Sequence, residues 1–410
     1  IDLINKVVIN GQNGSNAFLQ KFSFLPFVNK EIQLSQRLQA IQESLEKINN
    51  GNLLLAMIQQ KEDSLSPLRN LKNDLSYFEK YNFFWLENRI YQLENWLSFF
   101  GDKEEKNYLI LFQDPDIPRP TGGFIGAYAF LSFDKGKISV EGNNIFSLEE
   151  VFLDKIIPPA PLQGIGDRWL FHDANWFFDC PSSGQKILSF YSQTERKPDL
   201  DGVIFANFNV ISEVLKRVGS LELKDYNLIV DQNNFPSFYK SQVQESAKPA
   251  PLRKEKESLP LFFKELQKKM KECSLEALID IIKVVVKSFE IKDLQIYLAD
   301  DNLQYFFDTF DWTGRIEESK NDYLGVSFAL LENDFSEDKR EKILKLKTEF
   351  ASDGEIINYL TISAPNFSTE EKLTENYIKI YLPKGIIVKE ARGSFFQSNK
   401  NTANLENFYK

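Results

Sequence analysis

The chain has 410 residues, 42% of them hydrophobic and 26% charged, and a formal net charge of -10. That length exceeds one ordinary core and predicts two or three folded domains, and the apolar content excludes a disordered chain. The acidic balance, with Arg253-Lys254-Glu255-Lys256 as its longest basic run, excludes a general nucleic-acid binder, while only Cys180, Cys273 and His172 are at hand for a disulfide framework, a zinc site or a histidine metal cluster, which excludes all three.

Residues 1–22 are ambiguous, an apolar start broken at Asn10 to Ser15. From Lys30 onward Leu34, Leu38, Ile41, Leu45 and Ile48 alternate by four and three, the seam of a helix that packs on another helix. Asn49-Asn50-Gly51 stops it, and a second helix follows over 52–62. Leu68, Leu71, Leu75 and Phe78 make a third stripe, and Leu86, Ile90, Leu93 and Leu97 a fourth. Residues 1–102 are therefore expected to form a helical bundle or hairpin packing on its own domain. No run reaches the ~18 apolar residues that span a bilayer.

From Asn107 strands and helices alternate, which predicts an α/β core with a mixed sheet over 103–318. Tyr108 to Phe112 is an apolar run of strand length, ended by Gln113-Asp114-Pro115-Asp116. Arg119 and Gly122-Gly123 follow, then a second strand from Phe124 to Phe133 and a hairpin turn at Asp134 to Lys137. An arginine offers a planar fork of donors for carboxylate or phosphate, and paired glycines let backbone approach a ligand. The loop is thus a candidate anion site; the plainer alternative is an arginine paired with a neighbouring carboxylate. Residues 143–168 are irregular and lead into Trp169 to Pro181. Pro181-Ser182-Ser183 opens a helix to Ser192, with Ser182 or Ser183 as cap. Asp201 to Ala206 is the next strand, and Asn209 caps a helix over 210–218. Phe235 to Pro260 is polar and reads as a flexible excursion. Helices are expected over 261–270 and 274–289, the second capped by Ser274, then a strand over 294–298 and a helix from Asp301 through Phe310.

From Asp322 the period changes to two. Alternating runs at 324–330, 343–350, 356–364 and 377–388 predict an antiparallel β-sandwich of immunoglobulin-like size over 319–400, with a tail at 401–410.

Several of these marks carry a resemblance. Gln113-Asp114-Pro115, Arg119 to Gly126, Gly136-Lys137-Ile138, Asp173-Ala174-Asn175-Trp176, Asp179-Cys180-Pro181, Asp201 to Ile204 and Leu215 to Gly219 resemble the uncharacterised bacterial family called domain of unknown function 4012. The strand, helix, Gly219 and strand unit is also similar to a piece of the LytR-CpsA-Psr enzymes, which transfer polyprenyl-diphosphate-linked glycans to cell walls. Ile117 and Pro118 depart from the first family's pattern, and Thr121 stands where the enzymes carry a carboxylate. The resemblance implies an extracytoplasmic cell-envelope protein of a bacterium, anchored in the membrane by a helix upstream of Ile1. An exported chain leaves a Cys180 to Cys273 disulfide open.

It also implies a site for a polyprenyl-diphosphate glycan or another anionic envelope ligand. Such transfer needs cations on developing phosphate charge and, in many cases, a magnesium ion held by carboxylates. Arg119, Asp173 and Asp179 are the catalytic candidates. Gln113, Asp114, Gly122, Gly123, Arg168, Asn175 and Lys186 are the ligand-binding ones, and Asp114 with Asp173 would hold Mg2+. His172 beside Asp173 is a further candidate base. The other function class is a non-catalytic scaffold or adhesion module, in which Arg119 lies buried in an ordinary ion pair with no adjoining pocket.

Overall fold

The computed structural model describes residue 92 and residues 94–392, apart from 136, 153–154, 195, 253–257, 317–322, 332–340, 353 and 364–375. The helices expected upstream lie outside that range. Of the fourth stripe, Leu97 is buried in a helical turn at 94–99. Contacts divide the chain into two units, 1–316 with 327–378, and 317–326 with 379–410.

The first unit is built on a five-stranded sheet. Its strands are β1 (Lys106–Asp114), β2 (Phe124–Asp134), β3 (Lys137–Asn144), β4 (Gly202–Asn207) and β7 (Leu294–Leu298), in the order β3-β2-β1-β4-β7. β1 runs parallel to β4 and antiparallel to β2, and β4 runs antiparallel to β7, so the sheet is mixed as expected. Strand alternation sorts the core into two clusters. Tyr108, Phe112, Ile204 and Ala206 point into one; Leu109, Leu111, Val203 and Phe205 point into the other. Both faces are covered, which is why β4 is buried throughout.

Helices cover those faces. After α1 (Phe146–Glu149), α2 (Cys180–Ser192) brings Ile187, Phe190 and Tyr191 to the second cluster. α3 (Phe208–Val218), α4 (Phe235–Ser246), α5 (Leu259–Lys271), α6 (Leu275–Glu290) and α7 (Asp301–Asp308) feed the first, and β5 (Leu221–Leu223) pairs β6 (Leu228–Val230) beside them. Two caps sit earlier than expected. Asp179, not Ser182 or Ser183, caps α2, and Asn207, not Asn209, caps α3. Ser274 caps α6 as expected.

The excursion expected at 235–260 contains a helix instead. In α4, Phe235, Phe238, Tyr239, Gln242, Val243 and Ser246 recur on one buried face, while Ser237, Ser241 and Gln244 are exposed. Composition averages the two faces and hides that spacing. α4 also shapes the end of β1. The register of β1 on β2 shifts between Phe112 and Gln113, leaving Gly126 as a bulge. The Tyr239 hydroxyl fills the gap, accepting from the Gly126 N–H at 3.1 Å and donating to the Phe112 carbonyl at 2.7 Å.

Beyond the core, β9 (Ile343–Phe350) pairs β10 (Ile356–Ser363), and β8 (Gly325–Leu330) pairs β11 (Asn376–Tyr381). Among the described residues these are small two-stranded ribbons, antiparallel where β9 meets β10, and do not clearly confirm the expected sandwich; β9 and β10 carry no buried residue. Among the described residues no helix is long and apolar enough to cross a membrane.

Candidate functional site

The loop from β1 to β2 folds back on itself. Ile117 N–H bonds the Asp114 carbonyl at 3.2 Å, Gly122 N–H the Arg119 carbonyl at 3.0 Å, and Phe124 N–H the Ile117 carbonyl at 2.9 Å. Gly122 has φ +137, and a Cβ on Gly123 would lie 2.1 Å from the Asp114 carbonyl oxygen. The glycine pair therefore serves the closure of the loop on its own backbone.

Arg119 is turned inward. Its side chain is 2% exposed, and Nε donates to Asp173 Oδ1 at 2.8 Å. Nη1 donates to the Leu330 carbonyl at 2.6 Å and to the Pro118 carbonyl at 3.1 Å, while Leu330 N–H returns a bond to the Pro118 carbonyl at 3.1 Å. Asp173 Oδ2 lies 3.3 Å from His172 Nε2, and His172 Nδ1 lies 2.7 Å from Glu149 Oε1. Glu149, His172, Asp173 and Arg119 thus form one chain of alternating charge, 9 to 20% exposed at the first three side chains. Burial works against the charged imidazole, yet Glu149 and Asp173 outweigh it and push the His172 pKa up to about 10. Burial likewise works against the Asp173 carboxylate, and Arg119 and His172 hold it well below the usual range. A protonated His172 thus lies between two carboxylates, and Asp173 between two cations. An imidazole already protonated there does not act as a general base.

A second, uncharged network lies beneath. Gln113 Nε2 donates to Thr121 Oγ1 at 2.7 Å, and Asn175 Nδ2 donates to Thr121 Oγ1 at 3.0 Å and to the Gly123 carbonyl at 2.8 Å. Gln295 Nε2 donates to the Thr121 carbonyl at 3.1 Å. Gln113, Thr121 and Asn175 are buried, so these amides hold the loop down from inside the sheet.

The remaining expected site residues go elsewhere. Asp179 is occupied as the α2 cap, Oδ2 accepting from Ser182 N–H and Oγ and Oδ1 from Ile316 N–H. Lys186 Nζ rests 5.0 Å from the Trp169 ring centroid, and Arg168 donates to the Phe152 carbonyl. Asp114 Oδ1 accepts from Asp116 N–H at 2.9 Å, with Lys240 Nζ 3.9 Å away and ion-paired to Asp116. Magnesium does not fit these residues. Both Asp173 oxygens face cations of the protein, and among the described residues no three His, Cys, Asp or Glu side chains gather where an ion would sit. The depression near the loop, lined by Asp114, Ile117, Phe124, Tyr239, Lys240, Val243 and Gln244, has room for about one water. Arg119 is not among its walls.

Glu149, Thr121 and Leu330 complete the arrangement and had no motif of their own. Thr121 had stood out only inside the Arg119 to Gly123 run and as a departure from a carboxylate position.

Residues 103–243 match the model of the family described as protein of unknown function (DUF4012). No curated protein matches the chain. Among solved structures, the Lin1025 protein of Listeria innocua is 11% identical and covers 65% of this chain and 93% of its own, with a TM-score of 0.24. The Bacillus subtilis transcriptional regulator yvhJ is 13% identical over 54% of this chain and 85% of its own, with a TM-score of 0.25. TagV of Bacillus subtilis is 14% identical over 54% and 87%, with a TM-score of 0.24. Overlaps of that extent leave fold and chemistry to the sheet and side chains described above.

Proposed function

We propose, for a chain whose residues 103–243 match a protein family of unknown function, an extracytoplasmic module of the bacterial cell envelope that binds and positions other envelope components and performs no glycan transfer. The observation that carries it is the burial of Arg119, 2% exposed, in an ion pair with Asp173, while the depression beside the loop is lined by other residues. Transfer from a diphosphate needs uncommitted cations at an open site. Here the cation strongest in the sequence is committed to Asp173 and to two backbone carbonyls. Placement in the envelope is supported by the motifs of the Gln113 to Gly126 stretch. Binding of a diphosphate-linked glycan through Arg119 is the reading this one displaces.

Calorimetric titration of the full chain with farnesyl diphosphate, with and without magnesium, tests the proposal. The expected result is no saturable heat in either condition. Arg119→Met is expected to cost about 3–5 kcal/mol of stability, because it leaves Asp173 with only His172 of its two cationic partners. Magnesium-dependent binding that disappears in a still-folded Arg119→Lys variant would overturn the proposal and restore the glycan site.

A further inference from the structure

The ribbon of β9 and β10 takes no part in the Arg119 chain. Its antiparallel register runs unbroken from Ile343 with Ser363 to Phe350 with Ile356. Alternation puts Leu344, Leu346, Phe350, Ile356, Leu360 and Ile362 on one face, and Lys345, Lys347, Glu349, Tyr359 and Thr361 on the other. The apolar face is open, with Phe350 78% and Ile356 59% exposed. A ribbon of two strands is marginally stable in water by itself, and three or more strands behind such a face make it secure.

Its two edges differ. β9 carries Lys345, Lys347 and Glu349, all exposed, with Lys347 Nζ 2.6 Å from Glu349 Oε1. Charged side chains of this kind guard an edge against added strands. β10 reads Ile-Ile-Asn-Tyr-Leu-Thr-Ile-Ser, eight residues without a charge, a proline or a glycine. Among the described residues it pairs with β9 alone, and none of its side chains is buried. Alternate residues of β10 therefore turn their N–H and C=O groups toward an uncovered edge. Proteins blunt a free edge with charge, proline, a bulge or a short strand, and β10 has none of these.

We propose that β10 is an interface strand, pairing antiparallel with β10 of a second copy of this chain about a two-fold axis at Tyr359. That register sets Ile356 beside the partner's Ile362, Ile357 beside the partner's Thr361 and Asn358 beside the partner's Leu360, so each face of the ribbon continues into the same face of its copy. A second β10 brings no charge to this edge, whereas a charged strand would have to shed water against Ile357 and Tyr359. The product is a four-stranded sheet with β9 outermost on both sides. Its lysines stop further growth there, and a two-fold contact of this kind closes as a dimer. The dimer goes beyond the envelope reading and uses nothing of the Arg119 chain, so the diphosphate titration and the following test fail separately.

The test is sedimentation equilibrium of the full chain from micromolar to submillimolar concentration, in low and high salt. A reversible monomer-dimer equilibrium is expected, tighter in high salt, because the pairing strands are uncharged and salt screens the repulsion between two chains of net charge -10. Thr361→Glu puts a carboxylate on the bare edge while facing Lys345 of its own ribbon, and it is expected to weaken dimerisation about tenfold. Thr361→Val keeps the edge uncharged and is expected to leave dimerisation unchanged. Should Thr361→Glu lose its cooperative melt, amide exchange of the unaltered chain decides: protection over 356–363 is expected to rise with chain concentration. The proposal is overturned by a chain that stays monomeric throughout, which leaves the edge to a different partner, by a dimer that a folded Thr361→Glu variant holds as tightly as the parent, or by exchange over 356–363 that ignores concentration.

Discussion

Arg119 shows how one side chain is decided by what faces it. Its guanidinium has the donor geometry for an external anion, and Asp173, Leu330 and Pro118 supply the oxygens from within. His172 extends the same logic, and its titration can be checked. Its folded pKa, about 10, lies above the usual histidine value, so its contribution to stability is full below about pH 6.5 and fades as pH rises toward about 10. Asp173 is shifted the other way, so its contribution is present at neutral pH and is lost only in strong acid. Urea unfolding of the parent chain and of His172→Gln at about pH 6 and pH 9.5 is expected to show a stability gap that narrows at the higher pH by on the order of a few kcal/mol. An unchanged gap would mean that His172 is neutral in the fold. Arg119 and the Asp173 to Asn175 stretch stood out in the sequence through an arginine beside paired glycines and through the motif marks that carry the resemblance. Glu149 did not, because an acidic residue in an irregular stretch has no pattern before the chain brings it 2.7 Å from an imidazole.

At the scale of elements, strand alternation and helical spacing carried most of the core. The start of α2 was misplaced because Asp179, Ser182 and Ser183 are all good caps, and only geometry shows that the carboxylate reaches Ser182 N–H at 2.9 Å. α4 was missed because half its surface is polar, and it matters beyond its own packing. Tyr239 on that helix satisfies both backbone groups freed by the Gly126 bulge. Tyr239→Phe keeps the ring and removes the hydroxyl, leaving a buried N–H and a buried carbonyl short of a partner. A loss of about 1–3 kcal/mol is expected in denaturant unfolding, with faster amide exchange at Gly126. A variant as stable as the parent would show that water takes the place of the hydroxyl.

At the scale of the molecule, Cys180 and Cys273 are both free, Cys180 buried at the start of α2 and Cys273 partly exposed after α5. Thiol titration of the native chain is expected to count one fast group, Cys273, and a second only on unfolding. A reductant is expected to leave the melting temperature unchanged, whereas a drop would reveal a disulfide between them. The sequence by itself determined the α/β core, because apolar runs of strand length alternate along it with segments of helical apolar spacing. It also determined where the chain's unusual polar residues collect, at Arg119 and at Asp173 to Asn175. Only the tertiary structure decided what those residues do. Pairing Arg119 with Asp173 across 54 positions, and with Leu330 across 211, depends on which loops the sheet order brings together, and that order is a property of packing rather than of any local pattern. The same holds for Arg196 and Tyr128, 68 positions apart, whose meeting no spacing in the chain announces.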